Sequence, residues 1–261
     1  MWFAIFSILF YLASVLMILP LLNSADKAQY RPRKMPFFLT ALTGIIFHAA
    51  SLYPSLRELA ELHTFTLVEI SSLMSVSIAA LAVLAMLIVN SIWFLLPIVF
   101  SFSVLNLILA TFMPSHLIRL LNQDSAMLFH IGLSIFTYSV CVIATLYAIQ
   151  IAWIDRSLKA KKTAFSAVIP SLMTVERHFS HLFATGELLL TLTLISGIYH
   201  SMNVLTVENI HKGIFSFLAW LVFGIALFGH WKLGWRGKRM IIYSISGIIL
   251  LTIAYFGSRL I

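Results

Sequence analysis

The sequence predicts an all-α protein: a polytopic membrane helix bundle of eight transmembrane helices with both termini outside. Three observations predict it, namely the composition, the long apolar runs and the placement of the basic residues. Of the 261 residues, 61% are hydrophobic and only 10% are charged, and the mean hydropathy is +1.01. A soluble domain of this length does not have such a composition, whereas a chain that crosses a bilayer repeatedly does.

Eight apolar runs make up most of the chain, and each approaches the length of about 20 residues that a helix needs to cross a bilayer. The first run is interpreted as a retained span, because no basic residue precedes it and no small-residue cleavage site follows it. The third and fourth runs are two residues apart and predict a tight helical hairpin, with Pro97 in the first turns of its second helix. The predicted spans are Trp2–Leu22, Met35–Tyr53, Leu67–Asn90, Trp93–Phe112, Met127–Trp153, Phe179–His200, Gly213–Trp231 and Met240–Phe256.

The basic residues alternate between the loops. With the N-terminus outside, 13 of the 17 Lys and Arg lie on the cytoplasmic side: four before the second span, five between the fifth and sixth, and four between the seventh and eighth. Both termini are therefore predicted to be outside. This topology accounts for the formal net charge of +8 without nucleic acid as a partner. The expected partners are the lipid bilayer and a membrane protein that the sequence does not identify. The longest loop, Asp155–His178, is too short for a further domain, so a single transmembrane domain is predicted for residues 1–261.

No familiar catalytic motif is present. The sequence has no Walker loop, GxSxG, HExxH or glycosidase-like carboxylate pair. Its one cysteine, Cys141, permits no disulfide framework. No catalytic residue is therefore predicted, and enzymatic activity is not expected. The residues that remain for functional chemistry are the nine histidines.

Four histidines lie within predicted spans, and at about 1.5 Å per residue their depths form two pairs. His48 and His130 lie near the outer ends of their helices, and His181 and His230 near the inner ends. Three of the four share a helix face with mostly small or hydroxyl side chains, on which membrane helices approach one another or a flat ligand. These stripes are Ala41–Gly44–His48, His130–Ser134–Thr137–Cys141–Thr145 and Ser216–Ala219–Ala226–His230. The face of His181 carries Leu188, so its support is weaker.

Two interpretations of these histidines remain open. A single inward histidine can be a packing residue bonded to a carbonyl or hydroxyl, whereas two depth-matched pairs favour ligands of haem iron. Zinc needs more ligands than stand nearby. The basic turn after His230, which includes Arg236 and Arg239, can pair with haem propionates or simply anchor the topology. Glu187, two turns into the sixth span, needs a hydrogen-bond partner or a proton.

Several segments resemble a known family. They are MLFHIGLSIFTY, LTLTLISGIY, FLAWLVF, His230 with GWRGKR, and AYFGSR. With them the chain resembles the cytochrome c assembly family of haem-handling membrane proteins, of the CcsA/CcmC type, and within it the bacterial inner-membrane YpjD group. The resemblance is strongest from Met127 to Arg259; before Leu105 it rests on the span count and LLPIV. It implies a multi-pass protein of the bacterial inner membrane that binds haem b.

The resemblance also implies roles for two histidines and shows two departures. In the family, the histidine matching His130 is an outer-side haem ligand, and the one matching His230 is an intramembrane ligand nearer the cytoplasm. The family's outer loop before the FLAWLVF-like span carries a tryptophan-rich WWD motif that presents haem, but here that loop is SMNVLTVENIHK. The family's second outer histidine has no counterpart either. The resemblance therefore implies a haem-holding bundle without its delivery loop.

The predicted function is a haem-binding inner-membrane protein linked to cytochrome c assembly or haem handling, without WWD-type delivery. His181 and His230 are predicted to ligate a low-spin b-type haem, with Arg236 or Arg239 near its propionates. His48 and His130 are predicted to face one another in the outer half. The alternative is a non-haem membrane scaffold or a regulator of haem biosynthesis or of a partner membrane protein.

Overall fold

The computed structural model describes residues 1–23, 34–60, 66–112, 125–160, 171–201 and 207–256, and these residues are almost entirely helical. A short 3-10 helix, Asn90–Phe94, connects two of the α-helices. The α-helices in the described ranges are α1 (Trp2–Asn23), α2 (Lys34–Ser51), α3 (Tyr53–Ala60), α4 (Leu67–Ile88), α5 (Leu96–Phe112), α6 (Ser125–Lys159), α7 (Leu172–Ser201), α8 (Val207–Leu233) and α9 (Lys238–Phe256).

The helices form two compact units, of which the first contains α1 to α5. Within it α1 packs on α2 and α5, and α4 packs on α2 and α5. Its core is aromatic: the ring centroids of Tyr11 and Phe100 are 5.3 Å apart, and those of Phe37 and Trp93 are 4.8 Å apart. The predicted hairpin is present, with Pro97 as the second residue of α5, where no helical N–H is lost.

The second unit contains α6 to α9 and carries the region of strongest family resemblance. Helix α6 packs on α7 and α9, and α8 packs on α9 and α7. Hydroxyl pairs join these helices: Thr137 and Thr193 are 2.9 Å apart, and Thr145 and Ser244 are 3.0 Å apart. The stripe predicted on α6 is buried from Ser134 to Thr145. Buried hydroxyls need hydrogen-bond partners, and these pairs supply them.

Six helices in the described ranges are long and apolar enough to cross a membrane, namely α1, α4, α6, α7, α8 and α9. Helices α2 and α5 are also located where spans were predicted, but they have only 18 and 17 residues and are not among the six. The all-α membrane fold is thus confirmed. The division into one domain over residues 1–261 stays a prediction.

Two details differ from the sequence prediction. The polar segment Asp155–His178 is not all loop, because α6 continues to Lys159 and α7 already begins at Leu172. A run of apolar residues shows where a helix lies in lipid but not where its backbone hydrogen bonds end. The last turn of α6 is supported by an ion pair between Asp155 and Lys159 at 2.7 Å. The short helix α3 was not predicted.

Candidate functional site

The turn between α8 and α9 folds back over the end of α8. Gly234 and Gly237 have φ of +64° and +57°, a conformation that glycine adopts without a Cβ clash. They flank Trp235, whose backbone N–H donates to the carbonyl oxygen of Gly229 at 2.9 Å. These two glycines therefore return the chain to the helix from which it came.

The indole of Trp235 closes this turn. It lies directly on Gly229, where an added Cβ would stand 2.8 Å from Cζ3 and closer still to two other ring atoms. The ring also stacks on Tyr243 at a centroid distance of 5.4 Å, and the Arg239 guanidinium lies 5.4 Å from the centroid of the indole. Glycine at position 229 is thus required by close packing.

His230 is held by the same turn. Its Nδ1 lies 2.9 Å from the carbonyl oxygen of Trp235, and its Nε2 lies 3.0 Å from the hydroxyl of Ser180 on α7. A carbonyl only accepts hydrogen bonds, so Nδ1 carries a proton, and in the neutral form of the ring Nε2 carries the lone pair. Metal-ligating histidines are commonly oriented by such an N–H to carbonyl bond.

A cleft opens beside His230 at the end of the second unit that faces the basic turn. It is small and partly open to solvent, with a cavity volume of about 20 Å³. This is room for about one water molecule. Its lining residues are Ile151, Glu176, Phe179, His230, Arg236, Gly237, Met240 and Ile241. One cationic and one carboxylate side chain therefore flank the imidazole.

The other predicted residues of the inner site lie on the surface of this region. Arg236 and Arg239 are exposed, one at the cleft and one over Trp235. His181 is exposed on α7, and the α7 residue that bonds His230 is its neighbour Ser180. The structure therefore brings His230 together with a serine hydroxyl and a backbone carbonyl.

His130 has a comparable arrangement on α6. Its Nδ1 lies 2.8 Å from the hydroxyl of Ser196, which donates its own proton to the carbonyl oxygen of Thr193 at 2.9 Å. The Ser196 oxygen must therefore accept from Nδ1, so that Nε2 of the neutral ring carries the lone pair. Gly197 makes room for the ring, because an added Cβ there would stand 3.0 Å from Cε1 of His130.

His48 belongs to the first unit and is fully buried, with 0% of its surface exposed. Its Nδ1 lies 3.2 Å from the hydroxyl of Tyr11, and its Nε2 lies 2.9 Å from the hydroxyl of Ser72. Both ring nitrogens thus have partners within the same unit. His48 and His130 lie in different units, and their predicted pairing stays a prediction.

The sequence analysis did not identify the groups that orient the histidines. Ser180, Ser196 and Ser72 each bond an imidazole nitrogen, and the carbonyl of Trp235 bonds another. One local signal was present: a glycine directly before His230 and glycines on both sides of the Trp235–Arg236 pair. No group of three or more His, Cys, Asp or Glu that could hold a metal ion is found among the residues with described positions.

The chain was compared with known proteins. A family model described as "Cytochrome C assembly protein" matches residues 1–261. The chain belongs to the cytochrome c assembly protein family. It is 40% identical to "Inner membrane protein YpjD" of Escherichia coli strain K12 over 263 aligned residues, which cover 99% of this chain and 97% of that protein. The same values are found for the YpjD proteins of Escherichia coli O6:H1 and O157:H7.

A more distant relative comes from Azospirillum brasilense. It is named "Uncharacterized 28.8 kDa protein in nifR3-like 5'region" and is 28% identical over 136 residues, which cover 51% of this chain and 50% of that protein. No solved structure matches the chain. Together with the six membrane-length helices, the family and the YpjD relatives identify a multi-pass protein of the bacterial inner membrane, embedded in the lipid bilayer.

Proposed function

We propose that this member of the cytochrome c assembly protein family binds haem b in the inner membrane and takes part in haem handling without delivering haem itself. The observation that carries the proposal is the state of His230, whose Nδ1–H is committed to the Trp235 carbonyl. Such a ring offers its Nε2 lone pair to iron, which is the usual arrangement of a metal-bound histidine.

The residues around His230 fit a haem group in their donor chemistry. The Nε2 of His230 would hold the iron once the Ser180 side chain adopts another χ1 rotamer, because its oxygen now stands 3.0 Å from Nε2. Arg236 and Arg239 expose guanidinium groups that suit the two propionates. When bound, haem supplies one-electron redox chemistry, tuned by its axial ligand. The site would then store or sense haem, or carry electrons.

The second iron ligand is proposed with less structural support. His181 is exposed, so it reaches an iron held by His230 only if the ring lies on the outer surface of α7. His130 and His48 are the other two proposed ligands. The neutral form of His130 carries its lone pair on Nε2, as that of His230 does, and His48 would have to give up Tyr11 or Ser72. We therefore rank the four candidates as His230, His130, His181 and His48.

The proposed topology has eight spans with both termini outside. Each predicted span overlaps one α-helix, and the lengths of α2 and α5, 18 and 17 residues, lie within the range of about 17 to 25 residues that can cross a bilayer. The turn Gly234–Arg239 is then cytoplasmic. The outer segment 201–212 contains no tryptophan, which supports a protein that lacks WWD-type delivery.

The alternative is a non-haem membrane scaffold or regulator. One observation favours it: His48, His130 and His230 already have hydrogen-bond partners within the helix packing, as structural histidines do. Such a protein would act through a partner in the same membrane.

Absorption spectroscopy separates the two functions. Protein purified after haem supply should show a Soret band and a reduced α band, and His230→Ala should lose most of the α band. His211→Ala is the matched control, because His211 is an exposed histidine on the same helix, and it should leave the spectrum unchanged. An unchanged spectrum in His181→Ala would reject His181 as a ligand. Protein that was supplied with haem during preparation and shows no Soret band would refute haem binding and favour the scaffold.

A further inference from the structure

Helices α7 and α8 meet along a seam that carries polar side chains at three levels. At one end the hydroxyl of Ser180 bonds His230 at 3.0 Å. At the other end the indole N–H of Trp220 donates to the hydroxyl of Thr191 at 2.9 Å. The middle level is the carboxyl of Glu187, which faces Gly224, where an added Cβ would stand 3.3 Å from Oε1.

The carboxyl of Glu187 differs from the other two levels because one of its oxygens lacks a hydrogen-bond partner in the described part of the chain. Its Oε2 is buried and has no hydrogen-bond partner among the residues whose positions are described. Glu187 is near the midpoint of α7, about 20 Å along the helix from either end at 1.5 Å per residue. It therefore lies at the depth of the bilayer where a charged side chain is most costly.

The groups that face Glu187 do not compensate a negative charge. From α8 the facing residue is Gly224, which has no side chain. From α6 the titratable neighbour is the thiol of Cys141, whose Sγ would stand 3.0 Å from a Cβ added at Gly186, the residue before Glu187. Neither residue carries a positive charge, so these described neighbours would leave a carboxylate at this position uncompensated.

We propose that Glu187 is a proton-binding site inside the membrane, and that release of its proton loosens the α7–α8 seam. The neutral acid lets α8 pack closely through Gly224. The carboxylate would place an unpaired charge against the face of α8 at Gly224, which offers it no partner. This favours separation of the helices or entry of water. The side chain is half-buried, so part of its surface is accessible. The proposal does not depend on haem.

Infrared spectroscopy of the protein in lipid tests this site. At neutral pH the wild type should show the C=O absorption of a protonated carboxyl that disappears reversibly as the pH is raised. Glu187→Gln should lack that absorption, whereas Glu176→Gln, the matched change at the cytoplasmic end of the same helix, should retain it. Identical neutral-pH spectra for the wild type and Glu187→Gln would overturn the proposal, and so would a wild type without the band.

A second measurement needs no variant. Dicyclohexylcarbodiimide reacts with protonated carboxyls that face lipid, and mass mapping of its adducts compares all carboxyls within one protein. Glu187 should be modified more than Glu176 and Glu69 at neutral pH and should lose this advantage at alkaline pH. Equal modification of the three at neutral pH would contradict a protonated Glu187. The Glu187→Gln protein should keep the haem spectrum of the wild type. A failure of haem binding would therefore appear in the absorption spectrum, and a failure of this site in the infrared and labelling measurements.

Discussion

Gly229→Ala is the sharpest test of the turn that orients His230. The new methyl would stand 2.8 Å from Cζ3 of Trp235 and closer to two other ring atoms, whereas ordinary contact begins at 3.4 Å. The indole must therefore move by more than about 0.6 Å, as in other overpacked sites, which are destabilised by about 1–3 kcal/mol. Displacing Trp235 also draws its carbonyl away from Nδ1 of His230.

The assay is thermal unfolding in detergent together with the reduced α band after haem supply. Gly229→Ala should lower the unfolding free energy by about 1–3 kcal/mol and weaken the α band. Gly213→Ala is the matched control, because this residue lies on the same helix with nothing within 4 Å of an added Cβ. It should be neutral or stabilising by about 0.5–1 kcal/mol. Equal stability and equal spectra in the two variants would refute the reasoning.

Three further predictions concern single contacts and topology. Ser180→Ala removes the hydroxyl that competes with iron for Nε2 of His230, so it should cost about 1 kcal/mol of stability without lowering the haem content measured spectroscopically; a loss as large as that of His230→Ala would contradict this role. His48→Ala removes the partner of the buried Ser72 hydroxyl and one partner of Tyr11, and it should cost about 1–3 kcal/mol in thermal unfolding; wild-type stability combined with lost haem would instead identify His48 as a ligand. Reporter fusions after Lys162 and at Ile261 should report opposite sides of the membrane, and the eight-span topology fails if they report the same side.

The faces of the helices were predictable from the sequence because their signals are local. The spacing of Ala41, Gly44 and His48 determines which side of α2 is small enough to pack closely, and all three are buried. The same reasoning placed Ala219 and Ala226 on the buried side of α8. Periodicity alone was sufficient for these positions.

The contacts between helices were not predictable, because they depend on rotations that no periodicity determines. His181 and Ser180 are adjacent in sequence, yet they point about 100° apart around α7, and packing selected Ser180 as the partner of His230. The return of Trp235 onto Gly229 requires two residues with positive φ and a position on α8 without a side chain. The glycines were visible in the sequence, but the place where the ring would lie was not.

The acceptor that fixes the tautomer of His230 is a main-chain carbonyl, and this has a genetic consequence. No substitution at position 235 removes that oxygen, so a mutational scan should find several bulky aromatic replacements tolerated there. The same scan should find the strictest requirement at Gly229, Gly234 and Gly237, which contribute no functional group at all. The tautomer of the imidazole would then depend on the backbone path of the turn. The positions that control it would be the glycines, whose side chain is only a hydrogen atom.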